Sequence, residues 1–314
     1  MKQLWNEIAG AVVLGLIMPV LVLSVAVKYA PKIDETSETE TVPTQYEILI
    51  PILFEDGSVQ EIVLDDYLIG VVLAEMPASF ELEALKAQAV VARTYTLRAH
   101  NGKSKHQQGS VCTDSTCCQA YRDPALYEDP EGKKKVTSAV QATSGMVLTY
   151  NGELIEATYF SCSGGSTEDA VAVWGTDVPY LRATISPGEE KATYYVDSMT
   201  FSATEFQECL GRRILGSPGD WFGAVTYTTG GGVHEIEIGG QMYTGTELRK
   251  LLGLRSTAFT ITSDSESVTF HTRGFGHRVG MSQYGADAMA AGGSNYQQIL
   301  QHYYQGVKLT MLND

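Results

Sequence analysis

The pattern of hydrophobic and polar positions divides the chain into an apolar N-terminal segment, a polar linker and a long globular part. Residues 8–28 are almost uniformly apolar, and no charge occurs from Ile8 to Val27. A helix of that length spans about 30 Å of bilayer hydrocarbon. Residues 29–45 are mostly polar, acidic and rich in threonine, a composition typical of a solvated linker. We therefore expect a short cytoplasmic tail at residues 1–7, a transmembrane anchor, a linker and an ectodomain at residues 46–314.

The charges beside the apolar segment bear on its orientation. Lys2 precedes the segment, which suits a short cytoplasmic N-terminus and an ectodomain outside the cytoplasm. A cleaved signal peptide is the alternative, since Ser24-Val25-Ala26 is a small-x-small pattern. The apolar run is longer than the usual core of a signal peptide, which favours the anchor.

Beyond the linker, strand and helix periods are mixed, which predicts an α+β fold. Strand patterns occupy residues 46–53 and 59–64, and a helical pattern covers residues 81–100. A hairpin is predicted at 147–160, because Asn151-Gly152 is a favoured hairpin turn.

The pattern changes again in the C-terminal half. Residues from about 195 to 270 show short helices and strands of their own, which we interpret as a smaller second lobe. A small-residue helix and an amphipathic helix are expected after it. The sequence therefore predicts a single N-terminal transmembrane helix followed by a two-lobed extracytoplasmic α+β domain.

Composition and charge exclude several classes of protein. The 314 residues include 22 Lys and Arg against 37 Asp and Glu, a formal net charge of −15. An acidic chain repels nucleic-acid phosphates at long range, so we expect no nucleic-acid partner. A hydrophobic content of 44% argues against disorder. The five cysteines are an odd number, so internal disulfides cannot include all of them.

Glu75 is the first candidate for chemistry. It lies in the apolar run Leu73-Ala74-Glu75-Met76-Pro77, which we interpret as immediately preceding a helix. Burial there would raise its pKa and suit it to proton donation near neutral pH. A surface or capping glutamate is the alternative, and position alone favours that reading.

A second candidate is the set His106, Cys112, Cys117 and Cys118 in a polar loop. Thiolate and imidazole ligands at these intervals can converge on a tetrahedral zinc ion. A disulfide is the main alternative, because an extracytoplasmic location is oxidising. Free thiols are the third possibility.

A third candidate is His277 in the glycine-rich segment 273–280. Glycines there allow tight turns and close approach of a ligand. No strand followed by G-x-G-x-x-G occurs, and Ser282 lacks the flanking glycines of a nucleophile elbow, so dinucleotide binding and serine hydrolysis are disfavoured. A structural histidine and a pocket histidine both remain open.

Four segments in order resemble the stage II sporulation protein D family. They are AEMPASF-ELEALKAQAVVARTY at 74–95, YFSCSGGSTE at 159–168, TGTELRKLLGLRSTAF at 244–259 and GFGHRVGMSQYGADAMA at 274–290. The resemblance covers nearly the whole ectodomain. It implies a membrane-anchored lytic transglycosylase of endospore-forming bacteria, which cuts peptidoglycan glycan strands during engulfment of the forespore.

The resemblance also implies roles for individual residues. Glu75 matches the family's catalytic acid, which reverses the reading that position alone favours. The residues that it implies in a catalytic, glycan-binding groove are Lys86, Arg93, Ser163, Gly164, Gly165, His277, Gln283 and Tyr284.

A metal site is likewise implied by the resemblance. Some members bind zinc through H-x5-C-x4-H-C, which places His106, Cys112, Cys117 and Cys118 as ligands of a structural Zn²⁺. Cys117 stands where a histidine is usual. Two further departures are Arg278, where the family motif usually has glycine, and Cys162, where a hydroxyl residue is more usual.

The reaction implied is cleavage of the bond between N-acetylmuramic acid and N-acetylglucosamine with formation of a 1,6-anhydro ring. The expected substrate is glycan that an amidase partner, stage II sporulation protein P, has stripped of stem peptides. Complexes with stage II sporulation proteins P and M are expected at the mother-cell membrane, with the ectodomain facing the septal space.

Two rival functions accompany this one. A glycan-binding module related to the amidase enhancers shares these motifs and would not cut glycan. A zinc-dependent amidase or peptidase is disfavoured, because no H-E-x-x-H or comparable set occurs.

Overall fold

Helices and strands are mixed along the chain in the computed structural model, which describes residues 47–312. The helices are α1 Leu64–Glu75, α2 Leu82–Arg98, α3 Pro130–Gln141, α4 Ala170–Trp174, α5 Ala203–Leu210, α6 Gly245–Leu252, α7 Gln283–Ala291 and α8 Tyr296–Tyr303. The strands are β1 Leu49–Leu53, β2 Val59–Val63, β3 Val111–Cys112, β4 Met146–Tyr150, β5 Glu153–Leu154, β6 Tyr159–Phe160, β7 Val196–Ser202, β8 Phe222–Tyr227, β9 Val233–Ile238, β10 Gln241–Thr244, β11 Phe259–Ser263, β12 Ser267–Arg273, β13 Met281–Ser282 and β14 Lys308–Met311. The predicted α+β class is confirmed.

The first hydrophobic core is built around α2. Helices α1, α3, α7 and α8 all pack against it, as does strand β4. The buried face of α2 carries alanines, including Ala84, Ala87, Ala89 and Ala92, which are fully buried. Because alanine adds little bulk, the neighbouring helices can approach closely.

Two small sheets border this core. One has the order β2-β1-β3 and the other β14-β4-β5. In the second sheet the turn between β4 and β5 places Asn151 at φ 52° and Gly152 at φ 84°, as a type I′ hairpin requires. The predicted hairpin turn is confirmed, although its second strand ends at Leu154.

A second hydrophobic core is formed by residues within the range 199–270. It joins the sheet β11-β12-β7, the sheet β10-β9-β8 and helices α5 and α6. Its centre is aromatic, with Phe206 stacked on Trp221 at 5.9 Å between ring centroids and 5.9 Å from Phe270. These residues coincide with the segment in which the sequence predicts a smaller lobe. Both cores belong to one compact unit that starts at Glu47.

A short parallel pairing brings two distant segments of the chain together. Strand β6 pairs with β13, so that Tyr159 lies opposite Met281 and Phe160 opposite Ser282. Nearby, Cys162 and Phe275 exchange backbone hydrogen bonds. Two of the motif segments found in the sequence, near 160 and near 280, are thereby brought side by side.

The predicted tail, anchor and the linker through residue 45 lie outside the described residues. Between residues 47 and 312, no helix combines the length and the apolar character that crossing a bilayer needs.

Candidate active site and metal cluster

Glu75 is the last residue of α1, and the helix ends there for a local reason. Met76 is extended at φ −128° and ψ 140°, as expected for a residue that precedes a proline. Pro77 then excludes a further helical turn. Glu75 is therefore not a residue that leads into the next helix, as the sequence suggested, but the C-terminal residue of its own buried helix.

Three donors from three separate segments converge on the Glu75 carboxyl group. The backbone N–H of Ala120 and the hydroxyl of Tyr159 donate to Oε1 at 2.7 and 3.1 Å. The carboxamide of Gln283 donates from Nε2 to Oε2 at 3.2 Å. The carboxyl group is thus fixed in orientation, and Oε2 has the smaller number of donors.

Burial raises the pKa of Glu75 above its ordinary value. The hydrogen bonds from Ala120, Tyr159 and Gln283 oppose this effect, because they stabilise the carboxylate. The position at a helix C-terminus also disfavours a negative charge. A carboxyl group in this balance can hold a proton closer to neutral pH and release it to a bound molecule.

A chain of hydrogen bonds fixes the direction in which Tyr159 donates. The hydroxyl of Thr96 donates to Oε1 of Gln119 at 2.8 Å, which orients that carboxamide. Nε2 of Gln119 then donates to the Tyr159 oxygen at 3.3 Å. Because the oxygen accepts from Gln119, its own proton is directed to Glu75.

The predicted metal ligands are brought together. One donor atom each from His106, Cys112, Cys117 and Cys118 lies within 4.8 Å of the other three. His106 Nε2 is 3.3 Å from the Cys118 sulfur and 3.6 Å from the Cys117 sulfur, and the two sulfurs are 3.9 Å apart. Ligands of a tetrahedral zinc ion lie roughly 3.4 to 3.8 Å from one another, given the usual bond lengths. This set could hold a metal ion.

The disulfide alternative is not formed, since all five cysteines are free. A sulfur separation of 3.9 Å also exceeds the bonded length of about 2.05 Å. Burial raises the pKa of the Cys112 thiol to about 12 and also raises that of Cys117. A bound cation would supply the positive charge that such thiols need to become thiolate ligands.

The cluster adjoins the Glu75 site through the chain itself. The N–H groups of Cys117 and Cys118 both donate to the Asp114 carbonyl, which forms a tight turn. Lys105 also donates to the carbonyl of Cys117 at 2.7 Å. The residues that follow Cys118 are Gln119, which orients Tyr159, and Ala120, which donates to Glu75. The loop that carries the thiols therefore positions two of the groups around the carboxyl.

His277 lies half-buried between two aromatic rings. Its ring is 5.6 Å from Phe160 and 5.4 Å from Trp174 between centroids. The N–H of Val279 donates to Nδ1 at 3.1 Å, so the neutral ring carries its proton on Nε2. Burial, aided by the nearby Arg249 cation, lowers the pKa of His277 to about 4. The ring is neutral at physiological pH.

The structure corrects the prediction that Arg93 lines a groove. Arg93 is fully buried. Its guanidinium pairs with Asp65 at 3.0 Å and donates to the carbonyls of Val140 and Thr143, at the end of α3. A cation placed there satisfies the carbonyls of a helix C-terminus. Arg93 therefore joins α1, α2 and α3 and does not reach a ligand.

Lys86 is engaged by its own helix. Its Nζ lies 2.7 Å from Oε1 of Glu83, and Oε2 of Glu83 accepts the N–H of Tyr296. It is not among the groups bonded to Glu75. Contact between Lys86 and a glycan stays a prediction.

The prediction that the Ser163-Gly164-Gly165 turn binds glycan is also corrected in part. The N–H groups of Ser163 and Gly164 and the Ser163 hydroxyl all donate to one carboxylate oxygen of Glu189, at 2.7 to 3.0 Å. The other oxygen accepts from Ser186. Because an internal carboxylate fills this buried ring of donors, Ser163 and Gly164 are not free to bind substrate. Gly165 faces open space and stays a candidate.

Arg278 adopts a backbone conformation that favours glycine, with φ 65°. Its side chain is buried and pairs with the buried Glu168 at 3.0 Å. It also donates to the carbonyls of Ser163, Ser166 and Gly230. The Arg278 guanidinium is therefore engaged by partners inside the protein.

Of the remaining predicted residues, Gln283 is bonded directly to Glu75, and Tyr284 packs edge-on against Phe80 at 4.9 Å. The residues that sequence reasoning missed are Tyr159, Gln119 and Ala120. Tyr159 lay within a recognised motif, which was a usable signal. Ala120 acts through its backbone, and no side-chain pattern could reveal that.

The fold and the site define an α+β protein with a buried, hydrogen-bonded carboxyl group and a candidate metal cluster. Residues 55–150, which include both features, match the family model described as "SpoIID: Stage II sporulation protein". The stage II sporulation protein D of Bacillus amyloliquefaciens is 40% identical over 295 residues, which is 90% of this chain and 85% of that protein. The protein of the same name from Bacillus subtilis (strain 168) is 42% identical over 264 residues, 81% of this chain and 76% of that protein. The chain belongs to the stage II sporulation protein D family.

A further relative has another name. The amidase enhancer of Bacillus subtilis (strain 168) is 30% identical over 299 residues, which is 77% of this chain and 40% of that protein. The chain is thus similar to a protein of which the match covers 40%, as well as to two proteins of which it covers 85% and 76%.

Proposed function

We propose that this protein is a lytic transglycosylase that cleaves the bond between N-acetylmuramic acid and N-acetylglucosamine in peptidoglycan. The observation that carries the proposal is the Glu75 carboxyl group, whose pKa is raised by burial and which is held by three donors. Those donors are an amide, a phenol and a carboxamide. Within residues 47–312, no second carboxylate is bonded to Glu75.

A single carboxyl group suits a reaction that needs no activated water. Ordinary glycosidases use a pair of carboxyl groups, as acid and as base or nucleophile. In a transglycosylase the muramoyl C6 hydroxyl is the nucleophile, so one group can act first as acid and then as base. Because Ala120 and Tyr159 both hold Oε1, we assign the transferred proton to Oε2.

The steps balance without a co-reactant. Glu75 donates its proton to the glycosidic oxygen as the bond from muramoyl C1 to that oxygen breaks, and the leaving sugar departs with a free 4-hydroxyl. The Glu75 carboxylate then removes the proton of the C6 hydroxyl while O6 bonds to C1. The products are a 1,6-anhydromuramoyl end and a protonated Glu75, ready for the next cycle.

The metal proposed is a structural Zn²⁺ held by His106, Cys112, Cys117 and Cys118. Three thiolates and an imidazole leave no open position on a tetrahedral ion, which argues against a reactive zinc-bound water. Bound zinc would supply charge compensation for the thiolates. Its consequence for the reaction is indirect, since the loop it fixes carries Gln119 and Ala120.

Cys118→Ser is expected to lower the zinc content well below one ion per chain and to slow glycan cleavage about tenfold, a typical cost of disturbing the surroundings of a site. The measurements are elemental analysis and the rate of product formation. The control is Cys209→Ser, which makes the same substitution at a cysteine outside the cluster. It should alter neither the zinc content nor the rate of cleavage. Native protein without zinc, or a Cys118→Ser variant that keeps it, would contradict the assignment.

The biological setting proposed is sporulation, because the family is named for it. The expected substrate is septal peptidoglycan stripped of stem peptides during engulfment. We also propose a single-pass membrane location, with stage II sporulation proteins P and M as partners. The apolar residues 8–28 support the membrane anchor.

A non-catalytic glycan-binding role is the second candidate, favoured by the similarity to the amidase enhancer. One experiment separates the functions: the purified full-length chain is incubated with glycan strands without stem peptides, and the products are analysed by mass spectrometry. Anhydromuramoyl ends are expected. Intact glycan would overturn the transglycosylase and favour the binding role, whereas stem peptides released from whole sacculi would indicate an amidase.

A further inference from the structure

A cavity of ≈ 410 Å³ lies beside His277. Helix α6 lines it with Thr246, Arg249 and Lys250, and the segment that follows α6 adds Thr257. This volume falls in the range that small-ligand sites occupy, about 300 to 1,000 Å³. None of the residues that line it is acidic.

No carboxylate among residues 47–312 lies within ion-pair distance of the two cations in the cavity. In the described part of the chain, neither Arg249 nor Lys250 forms an ion pair. Arg249 donates from Nε to the carbonyl of Arg255 at 3.2 Å, which fixes the guanidinium, and neither terminal nitrogen has a hydrogen-bond partner among residues 47–312. Two uncompensated cations in a chain of net charge −15 make this cavity a local site for an anion.

Arg249 is also partly buried, and burial lowers its pKa. The same cation contributes to the low pKa of His277, so the two side chains are close enough to interact. A buried guanidinium with free donors is best satisfied by a planar, bidentate acceptor such as a carboxylate.

The surroundings of the cavity suit a sugar. The Trp174 ring lies against His277, tilted by 52°, and is 43% exposed, so its indole offers a flat apolar surface beside a residue that lines the cavity. Thr246 and Thr257 add hydroxyl groups that can both donate and accept. A pyranose ring presents the matching combination of an apolar face and peripheral hydroxyls.

The cavity is connected to the Glu75 site by shared segments. The His277 ring packs against Phe160, the neighbour of Tyr159, whose hydroxyl donates to Glu75. Six residues after His277, Gln283 also donates to Glu75. The segment of residues 277–283 therefore contributes to both the cavity and the Glu75 site.

We propose that this cavity is a saccharide subsite in which Arg249 and Lys250 bind a sugar-linked carboxylate of the glycan. The inference rests on the proposed function, whose substrate it specifies. Two sources share this chemistry: the lactyl carboxylate of muramic acid without a peptide, and the carboxylates of a stem peptide. The neutral His277 and Trp174 contact the ring that carries the group.

The test uses the full-length chain with Glu75→Gln, so that ligands are bound and not cleaved, and measures affinity by titration calorimetry. The probes are chitotetraose, which has no carboxylate, the tetrasaccharide of alternating N-acetylglucosamine and N-acetylmuramic acid, and the same tetrasaccharide with stem peptides. We expect at least one carboxylate-bearing probe to bind about tenfold more tightly than chitotetraose, the effect of one good charge-assisted contact. Which of the two does so identifies the source of the carboxylate.

Adding Arg249→Gln and Lys250→Gln should remove that preference and leave the affinity for chitotetraose unchanged. The matched control, Arg213→Gln with Lys308→Gln, removes the same charge at exposed residues outside the cavity and should keep the preference. Lys250→Gln alone, at an exposed side chain, gives a partial loss if the double variant fails to fold.

Equal affinity for all three probes, or a preference that survives Arg249→Gln with Lys250→Gln, would overturn the subsite. Either result would leave the anhydromuramoyl product test untouched. If native protein instead yields no such product while the preference persists, the transglycosylase fails and the carboxylate subsite stands.

Discussion

Glu75→Gln is expected to reduce the rate of glycan cleavage by roughly 10³-fold or more, since general acid–base catalysis by one group contributes about 10²- to 10⁴-fold. The substitution keeps the size and the carbonyl oxygen of the side chain, so Ala120 and Tyr159 can still donate to it. It removes the proton that the glycosidic oxygen must receive and the carboxylate that must accept one from the C6 hydroxyl. The measurement is the initial rate of appearance of anhydromuramoyl ends.

The pH dependence follows from the raised pKa of Glu75. The native enzyme needs the protonated form, so its activity should fall as pH rises through that pKa. The residual activity of Glu75→Gln should show no such limb. Glu128→Gln, the same change at an exposed glutamate, is the control and should keep both the rate and the limb. A native rate retained by Glu75→Gln would exclude Glu75 as the acid.

At neutral pH, Glu75→Gln should lower the activity of the protein without lowering its stability. A carboxyl group whose pKa is raised on folding stabilises the native state most at low pH, and that contribution is lost as pH rises through the folded pKa. At neutral pH Glu75 therefore costs stability that glutamine does not. Glu75→Gln should melt at or above the native temperature near pH 7, with the difference vanishing below the ordinary glutamate pKa of about 4.3. This outcome also shows that the lost activity is not lost folding.

The sequence predicted the elements whose hydrophobic period is clear. Strands β1 and β2 and helix α2 lie within three residues of their predicted bounds. Helix α1 was missed, since residues on most of its faces are buried and no amphipathic stripe remains. Helix α3 was also not predicted, although Asp129 caps it and Pro130 opens it, which are standard helix-start signals.

The candidate site was predictable from the sequence where it is formed by side chains that lie in local motifs. Glu75, Gln283 and the four cluster residues lie in local motifs, and the structure brings each group together. Arg93 and Ser163 also lie in motifs, yet both serve internal ion pairs or hydrogen bonds. A sequence motif marks a position as constrained without saying whether a ligand or the protein occupies the donors. That distinction needs the partners Asp65 and Glu189, which are 28 and 26 residues away.

Arg278 and Glu168 are the second place where a large effect is expected, this time on stability. Both side chains are almost fully buried, and Glu168 Oε1 accepts from Arg278 Nη1, from Gly232 N–H and from the Thr228 hydroxyl. Thr228 and Gly232 precede β9, whereas Arg278 precedes β13. The pair therefore ties the segment with the second core to the segments that carry Tyr159 and Gln283.

Glu168→Gln should lower the free energy of unfolding by about 3 kcal/mol, because it leaves the buried Arg278 cation without its ion-pair partner. Arg278→Met should cost a similar amount by leaving the Glu168 carboxylate uncompensated. The measurement is chemical denaturation of each variant. Asp177→Asn, which breaks the exposed pair with Arg182, is the control and should cost less than about 1 kcal/mol.

The double variant tests whether the contributions of the two charges to stability are coupled. If they are, Glu168→Gln with Arg278→Met removes both charges together and should be more stable than the sum of the single losses predicts, by at least about 1 kcal/mol. Additive losses would mean that each side chain acts through its separate hydrogen bonds to the backbone. Coupling would instead explain how a residue with φ 65° can be arginine: the conformational cost of a side chain in that region, about 1 to 2 kcal/mol, is offset by a buried ion pair that glycine could not form.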